Sequence, residues 1–237
     1  MIKHSTNAKS LCGCCMIKER CLPAGLNEEE VVRLDQQMEH RLPIKKGQLL
    51  FSQGQALSAI YAISTGSFKT RILHEDGRSQ ITGFQLSGEM MGLDAISEER
   101  YACDAIALED STVCKIDYDS LANLESEISR LQRSFNKTLS AEIVRDQTIM
   151  LLLGSMRAEE RVAAFLVNLS QRFHDRQQSA TELVLKMTRE DIGSYLGLKI
   201  ETVSRVLSRF AEEGLIAVQG RLIVITDINA LLSLNSY

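Results

Sequence analysis

The chain has 237 residues, 44% of them hydrophobic, and 27 basic against 31 acidic side chains give a net charge of −4. That length accommodates two modest domains, no apolar run approaches the length of a bilayer-spanning helix, and Met1 to Ser10 lack the apolar centre of a secretion signal. The expectation is a cytoplasmic protein without membrane association, in which any nucleic-acid contact comes from a local basic patch.

Four of the six cysteines crowd into Cys12-Gly13-Cys14-Cys15-Met16-Ile17-Lys18-Glu19-Arg20-Cys21. In a reducing compartment such a group reads as metal-binding or redox-active before it reads as a disulfide framework. A disulfide, a zinc ion and an iron–sulfur cluster all stay open on these residues alone. Asn27, followed three residues later by Glu30, then caps a short helix expected to run to about His40.

From Pro43 to Cys114 the texture changes to short runs with β-branched and aromatic residues, among them Ile60-Tyr61-Ala62-Ile63 and Ser111-Thr112-Val113-Cys114. Glycines at 47, 54, 66, 77, 88 and 92 punctuate them at turn spacing. This is a compact antiparallel β-roll. Asp119 to about Leu153 contains no Gly or Pro, and Ile128, Leu131, Phe135, Leu139, Ile143 and Met150 recur mostly at three- to four-residue steps. One long helix is expected, its stripe pairing with a second copy in a homodimer, while its first turns could also pack on the β-roll. Asp146 stands on that seam, where a two-fold pair would bring two carboxylates together and make dimerisation conditional. The alternative places Asp146 just off the seam, paired with Arg145.

The last third opens with a helical stretch from Ala158 and a polar loop from His174 to Thr181. Thr188-Arg189-Glu190-Asp191 has capping-box form and starts a short helix through Leu196; Gly197 makes a turn, and Ile200 to Phe210 form a second helix ended by Gly214. Leu215 to Val218 and Leu222 to Ile225 supply a hairpin around Gly220-Arg221. The motif is a winged helix-turn-helix. Glu201, Ser204, Arg205 and Arg209 share the face opposite Val203, Val206, Leu207 and Phe210. Arg205 has the fork to grip guanine, Glu201 can accept from a cytosine amino group, and Ser204 can serve a base edge or a phosphate. Arg189 is a further candidate contact. Between Lys186 and Arg221 six basic residues face five acidic ones, so one copy attracts phosphate weakly and useful affinity requires two.

The fold class is α+β, divided into an arm (1–22), a β-roll (23–118), a dimerisation helix (119–153) and a winged helix-turn-helix domain (154–237). No catalytic residue is expected. His4, His40, His74 and His174 lie in unrelated segments without a nucleophile spacing or phosphate loop.

Taken together, Cys-x2-Cys-x5-Cys at Cys12, Cys15 and Cys21, Thr82-Gly83-Phe84, Asp146-Gln147 before Met150-Leu151-Leu152-Leu153, Asp191-Ile192-Gly193-Ser194-Tyr195-Leu196-Gly197-Leu198 and Glu201-Thr202-Val203-Ser204-Arg205 resemble the FNR (fumarate and nitrate reduction regulator) branch of the CRP superfamily of bacterial transcription factors. The resemblance covers nearly the whole chain. It implies an oxygen-labile [4Fe-4S] cluster on Cys12, Cys15, Cys21 and Cys114, one per subunit, and dimerisation without oxygen. It further implies Glu201, Ser204 and Arg205 reading palindromic TTGAT-N4-ATCAA-type sites in double-stranded DNA, to activate or repress genes of anaerobic metabolism. Glu75-Asp76-Gly77 would be one surface touching RNA polymerase, although Arg78 replaces the acidic residue often found there. The distant fourth cysteine and the Cys-x5-Cys step favour a cluster over zinc. A zinc-stabilised regulator, or a thiol-redox sensor using Cys14 or Cys103, is the alternative. Met16 and Arg20 depart from the small polar and apolar residues common there, and could change the lifetime of a cluster in oxygen. Cyclic nucleotide is not expected: Gly88-Glu89-Met90-Met91-Gly92 resembles a phosphate cassette, but Tyr101-Ala102 stand where nucleotide-binding relatives have Arg-Ser, leaving no cation for a buried phosphate.

Overall fold

The computed structural model describes residues 10–234; the first nine residues of the arm, His4 among them, and the last three lie outside the described residues. The described residues form two compact units, one comprising those up to Thr70 together with 84–141, the other 71–83 together with those from Glu142 onward.

In the first unit the reciprocal cap forms as the sequence implies. Asn27 Oδ1 accepts from Glu30 N–H and Glu30 Oε2 from Asn27 N–H, each at 2.8 Å, and helix α1 runs Glu28–Asp35. It stops short of His40. Met38–Ile44 is strand β1, because every second residue from Met38 onward turns inward. Strands β2 (Leu49–Phe51), β3 (Ala59–Thr65), β4 (Ser67–Leu73), β5 (Ser79–Leu86), β6 (Met90–Met91), β7 (Asp104–Ala107) and β8 (Ser111–Asp117) follow. They form two four-stranded sheets in the orders β1-β8-β3-β6 and β2-β7-β4-β5. Strand β8 lies between β1 and β3, with Val113 opposite Leu42 on one side and Cys114 opposite Ala62 on the other. The turn into β4 demands glycine: Gly66 has φ +91°, and a Cβ there would lie 2.1 Å from Ser111 Oγ.

The long helix expected from Asp119 to Leu153 is two. Helix α2 (Tyr118–Glu127) is capped by Asp117 and ends at Ile128, whose φ of −116° and ψ of 89° are not helical; α3 then runs Ser129–Ser155. Ile128 is buried, which explains the break: its side chain joins Leu34, Met38, Ile116, Leu121, Leu131 and Phe135 in a core beneath the arm. The apolar stripe therefore divides. Leu131 and Phe135 belong to the chain's own core and Leu139 packs against it, whereas Ile143 and Met150 are 58% and 66% exposed. Of the stripe expected to pair with a second copy, Leu131 and Phe135 are thus already buried within the chain, and only the turns after Leu139 leave apolar side chains exposed.

In the second unit α4 (Ala158–Asp175) is followed by β9 (Glu182–Val184), α5 (Arg189–Leu196), α6 (Ile200–Glu212), β10 (Ile216–Gln219), β11 (Leu222–Ile225) and α7 (Ile228–Ser233). The wing is a three-stranded sheet ordered β10-β11-β9. Strand β9, unmarked in the sequence because it is only three residues long, covers the open edge of β11. Thr188 and Asp191 exchange both bonds of their capping box at 3.0 Å. Gly197, at φ +63°, turns the chain between the two helices. The α6 residues Val203, Val206, Leu207 and Phe210 are all buried, each contributing about 2 kcal/mol. No described helix is long and apolar enough to cross a membrane.

Candidate metal centre and nucleic-acid interface

The arm is a chain of tight turns. Cys15 N–H donates to the Cys12 carbonyl at 3.2 Å, Lys18 N–H to the Cys15 carbonyl at 3.1 Å, and Lys18–Arg20 form a single 3-10 turn ending at Cys21. These turns bring Cys12, Cys15 and Cys21 to one cavity, which Cys114 from β8 also lines. Cys14 is exposed and does not line it. Cys103 lies elsewhere, buried with its Sγ 3.5 Å from Asp94 Oδ2. Burial raises the Cys12 thiol well above the usual range, and the adjoining Asp35 carboxylate adds to the effect. Burial likewise pushes Cys21 up to about 12, and Cys114 is raised by burial against the opposing pull of the Arg41 backbone N–H. Cys12 and Cys21 each feel the charge of Cys114, as expected of sulfurs sharing one space. Such a donor set fits a soft metal or an iron–sulfur cluster, either of which takes the place of the thiol protons.

Met16 points away at 95% exposure. The cations lining the cavity are Lys18 and Arg41, and Arg20 is not among its lining residues.

Four residues around Cys12 carried no functional signal in the sequence. Asp35 Oδ1 accepts the Cys12 N–H at 2.7 Å and lies 3.2 Å from His40 Nε2. Met38 Sδ is 3.7 Å from Cys12 Sγ. A bulge in β1 between Glu39 and Leu42, with Arg41 at φ +56°, turns His40 and Arg41 to the cavity. This arrangement depends on α1 ending at Asp35 and β1 starting at Met38, so that the residues up to His40 are strand and not the helix their sequence suggests.

On α6, Glu201 and Arg205 are exposed and Ser204 is half-buried on the face opposite the buried residues. Arg209 shares that face but is held by acids: Glu159 of α4 accepts from its guanidinium, and Glu213 Oε1 lies 2.8 Å from its Nε. Arg189 is half-buried at the start of α5. The turn at Glu75-Asp76-Gly77 is exposed, and Arg78 folds back on Asp76, with Nη2 and Oδ2 2.7 Å apart. The hairpin tip carrying this turn belongs to the second unit, where Ile81 N–H donates to Ser194 Oγ at 2.9 Å and the Gln80 amide to the Ser194 carbonyl.

Residues 41–127 match the model of the cyclic nucleotide-binding domain and residues 160–234 that of the Crp-like helix-turn-helix domain. A β-roll of the first kind joined to a helix-turn-helix of the second defines a class, that of DNA-binding transcription regulators rather than enzymes. Over 94% of its length the chain is 46% identical to the anaerobic regulatory protein of Haemophilus influenzae, of which it covers 87%. It is 45% identical, again over 94%, to the fumarate and nitrate reduction regulatory protein of Escherichia coli, covering 89% of it. The structure of FixK2 from Bradyrhizobium japonicum superposes with a TM-score of 0.78 at 31% identity, over 84% of this chain and 98% of that one. The chain belongs to the CRP/FNR family, in the branch of the anaerobic, fumarate and nitrate reduction regulators.

Proposed function

We propose that this regulator senses oxygen through a [4Fe-4S] cluster held by Cys12, Cys15, Cys21 and Cys114. The observation that carries the reading is the convergence of those four thiols, three from the arm and one from β8, on one cavity. A bound cluster supplies a centre that oxygen destroys. The protein's part is to make the arm and the β-roll a single body while all four thiolates are engaged. The exposed face of α3 at Ile143, Met150 and Leu151 fits pairing with a second copy. Asp146 lies exposed within that stretch, so bringing two copies together desolvates two carboxylates. Partial desolvation by the neighbouring turns of the helix already raises this carboxyl, against the pull of Arg145.

In the pair, Glu201, Ser204 and Arg205 read the two halves of a TTGAT-N4-ATCAA-type site, with Arg189 supplying a phosphate contact. Such binding places the protein in the cytoplasm. Glu75-Asp76-Gly77 forms a contact for RNA polymerase at which the Arg78 guanidinium offsets the negative charge of Asp76. Cyclic nucleotide has no role in this reading. Tyr101, at the position of the relatives' arginine, is buried with its hydroxyl donating to the Ala59 carbonyl at 2.7 Å and its ring stacked on Phe51 at 4.0 Å.

The test is purification without oxygen, with the visible spectrum and iron, sulfide and zinc content recorded before air is admitted. About four iron and four sulfide per chain, with loss of dimer and of DNA binding in air, is expected. Colourless protein carrying one zinc per chain overturns the oxygen-sensor reading.

A further inference from the structure

Cys12 belongs to two constellations. One is the four-cysteine cavity. The other faces α1 and β1, where Cys12 Sγ, an Asp35 carboxylate oxygen and a His40 ring nitrogen all lie within 4.8 Å of one another. Asp35 and His40 are only 17% and 13% exposed at their side chains, and Cys12 is 6% exposed, so the group is nearly dry. The Asp35–His40 separation of 3.2 Å already falls in the range between two donors on one tetrahedral ion. Asp35 is anchored at one oxygen by the Cys12 N–H, and the β1 bulge with its left-handed Arg41 fixes the strand beside His40.

We infer that Cys12, Asp35 and His40 form a mononuclear site for a zinc-class divalent cation in protein lacking the cluster, and that loading it withdraws Cys12 from the four-cysteine set. The chemistry matches on three counts. Thiolate, imidazole and carboxylate are the three donor types zinc accepts from proteins. Their charges, with His40 neutral, sum to the opposite of a divalent cation, so the loaded site is neutral where an isolated charge would be costly. Three protein donors also leave a fourth position for water. The ion forms one bond to sulfur, one to nitrogen and one to oxygen, and the Cys12 thiol proton passes to solvent. The site itself stands independently of the oxygen-sensing reading; only the competition for Cys12 rests on it.

The experiment uses the full chain, reduced and stripped of metal without oxygen, titrated with cobalt(II) as a coloured probe and then with zinc in competition. Wild-type protein loaded with cadmium-113 is expected to give a resonance in the range of one sulfur with nitrogen and oxygen donors, far from that of four sulfurs, a readout that needs no variant. His40→Asn and Asp35→Asn should each weaken cobalt and zinc by at least about tenfold. Cys114→Ser should leave both affinities within about threefold, because Cys114 is not a ligand of this site. A four-sulfur cadmium resonance, or loss of the ion in Cys114→Ser with retention in His40→Asn, overturns the proposal. Preloaded zinc should slow reconstitution of the cluster with iron and sulfide at least about tenfold in the wild type and not in His40→Asn. If no variant assembles a cluster under any condition while the one-sulfur resonance is present, the oxygen-sensor reading fails and the zinc site stands.

Discussion

The guanidinium of Arg161 donates to the Leu196 carbonyl at 2.9 Å, closing the C-terminal end of α5 from a position on α4. The same side chain reaches the carbonyls of Leu153, near the end of α3, and Met156, each also at 2.9 Å. One cation thus satisfies acceptors that helix ends leave without partners. Arg161→Ala should destabilise the second unit by about 3 kcal/mol, and Arg161→Lys should recover less than half of that, since an ammonium lacks the planar fork. Denaturant unfolding followed by circular dichroism checks both values.

Gly193 tests the packing of the helix-turn-helix. A Cβ on it would stand 2.6 Å from the Leu198 carbonyl oxygen, a backbone atom that cannot rotate away. Gly193→Ala should cost about 1–3 kcal/mol by overpacking. DNA affinity should fall while the spectrum of a reconstituted cluster stays unchanged, as gel-shift titration and visible absorption will report.

Arg205 and Arg209 should separate in a binding assay. Arg205→Ala is expected to cost about 1–3 kcal/mol on the cognate site and to relax selectivity at one base pair. Arg209 is engaged by Glu159 and Glu213, so Arg209→Ala should weaken binding less and uniformly across sequences. Titrations against a set of single-base variants distinguish the two outcomes.

Asp146→Ala should dimerise in air without a cluster, because the carboxylates no longer oppose burial of Ile143 and Met150. Sedimentation velocity on aerobically purified protein decides this; a variant that stays monomeric at high concentration removes Asp146 from the seam.

Glu125 gives a pH dependence of known sign. Its carboxyl is half-buried with Oε1 lacking a hydrogen-bond partner, and burial pushes its pKa up to about 7. A carboxyl raised in the folded state is favourable while protonated, and stability declines as pH rises from the unfolded value near 4.5 through about 7. Glu125→Gln should match the wild type at pH 5 and melt at a higher temperature at pH 8. Equal shifts at both pH values would remove the carboxyl as their cause.

Much of this was legible along the chain because the signals are local. The Asn27–Glu30 and Thr188–Asp191 boxes, the turn at Gly197 and the buried face of α6 each depend on residues a few positions apart. What escaped depends on distance. The break at Ile128 has no Gly or Pro to announce it and arises because a buried side chain takes its place in a core assembled from α1, β1, β8 and α2. The same holds at Cys12: nothing near His40 or Asp35 in sequence announces a thiol, since their meeting requires the arm to fold back on β1. Arg161 is one basic residue among many until three carbonyls surround it.

The division of the α3 stripe has a consequence for quantity as well as geometry. From Ile143 to Leu153 the helix rises only about 15 Å, and the remainder of the stripe is committed inside each subunit. If two copies pair along this stretch as proposed, so short a seam leaves the pairing governed by mass action, and the number of copies per cell, set by expression and degradation, is then a second input to the proposed switch. On that reading, doubling that number at fixed oxygen is expected to shift the response, as a change in the ligand set would.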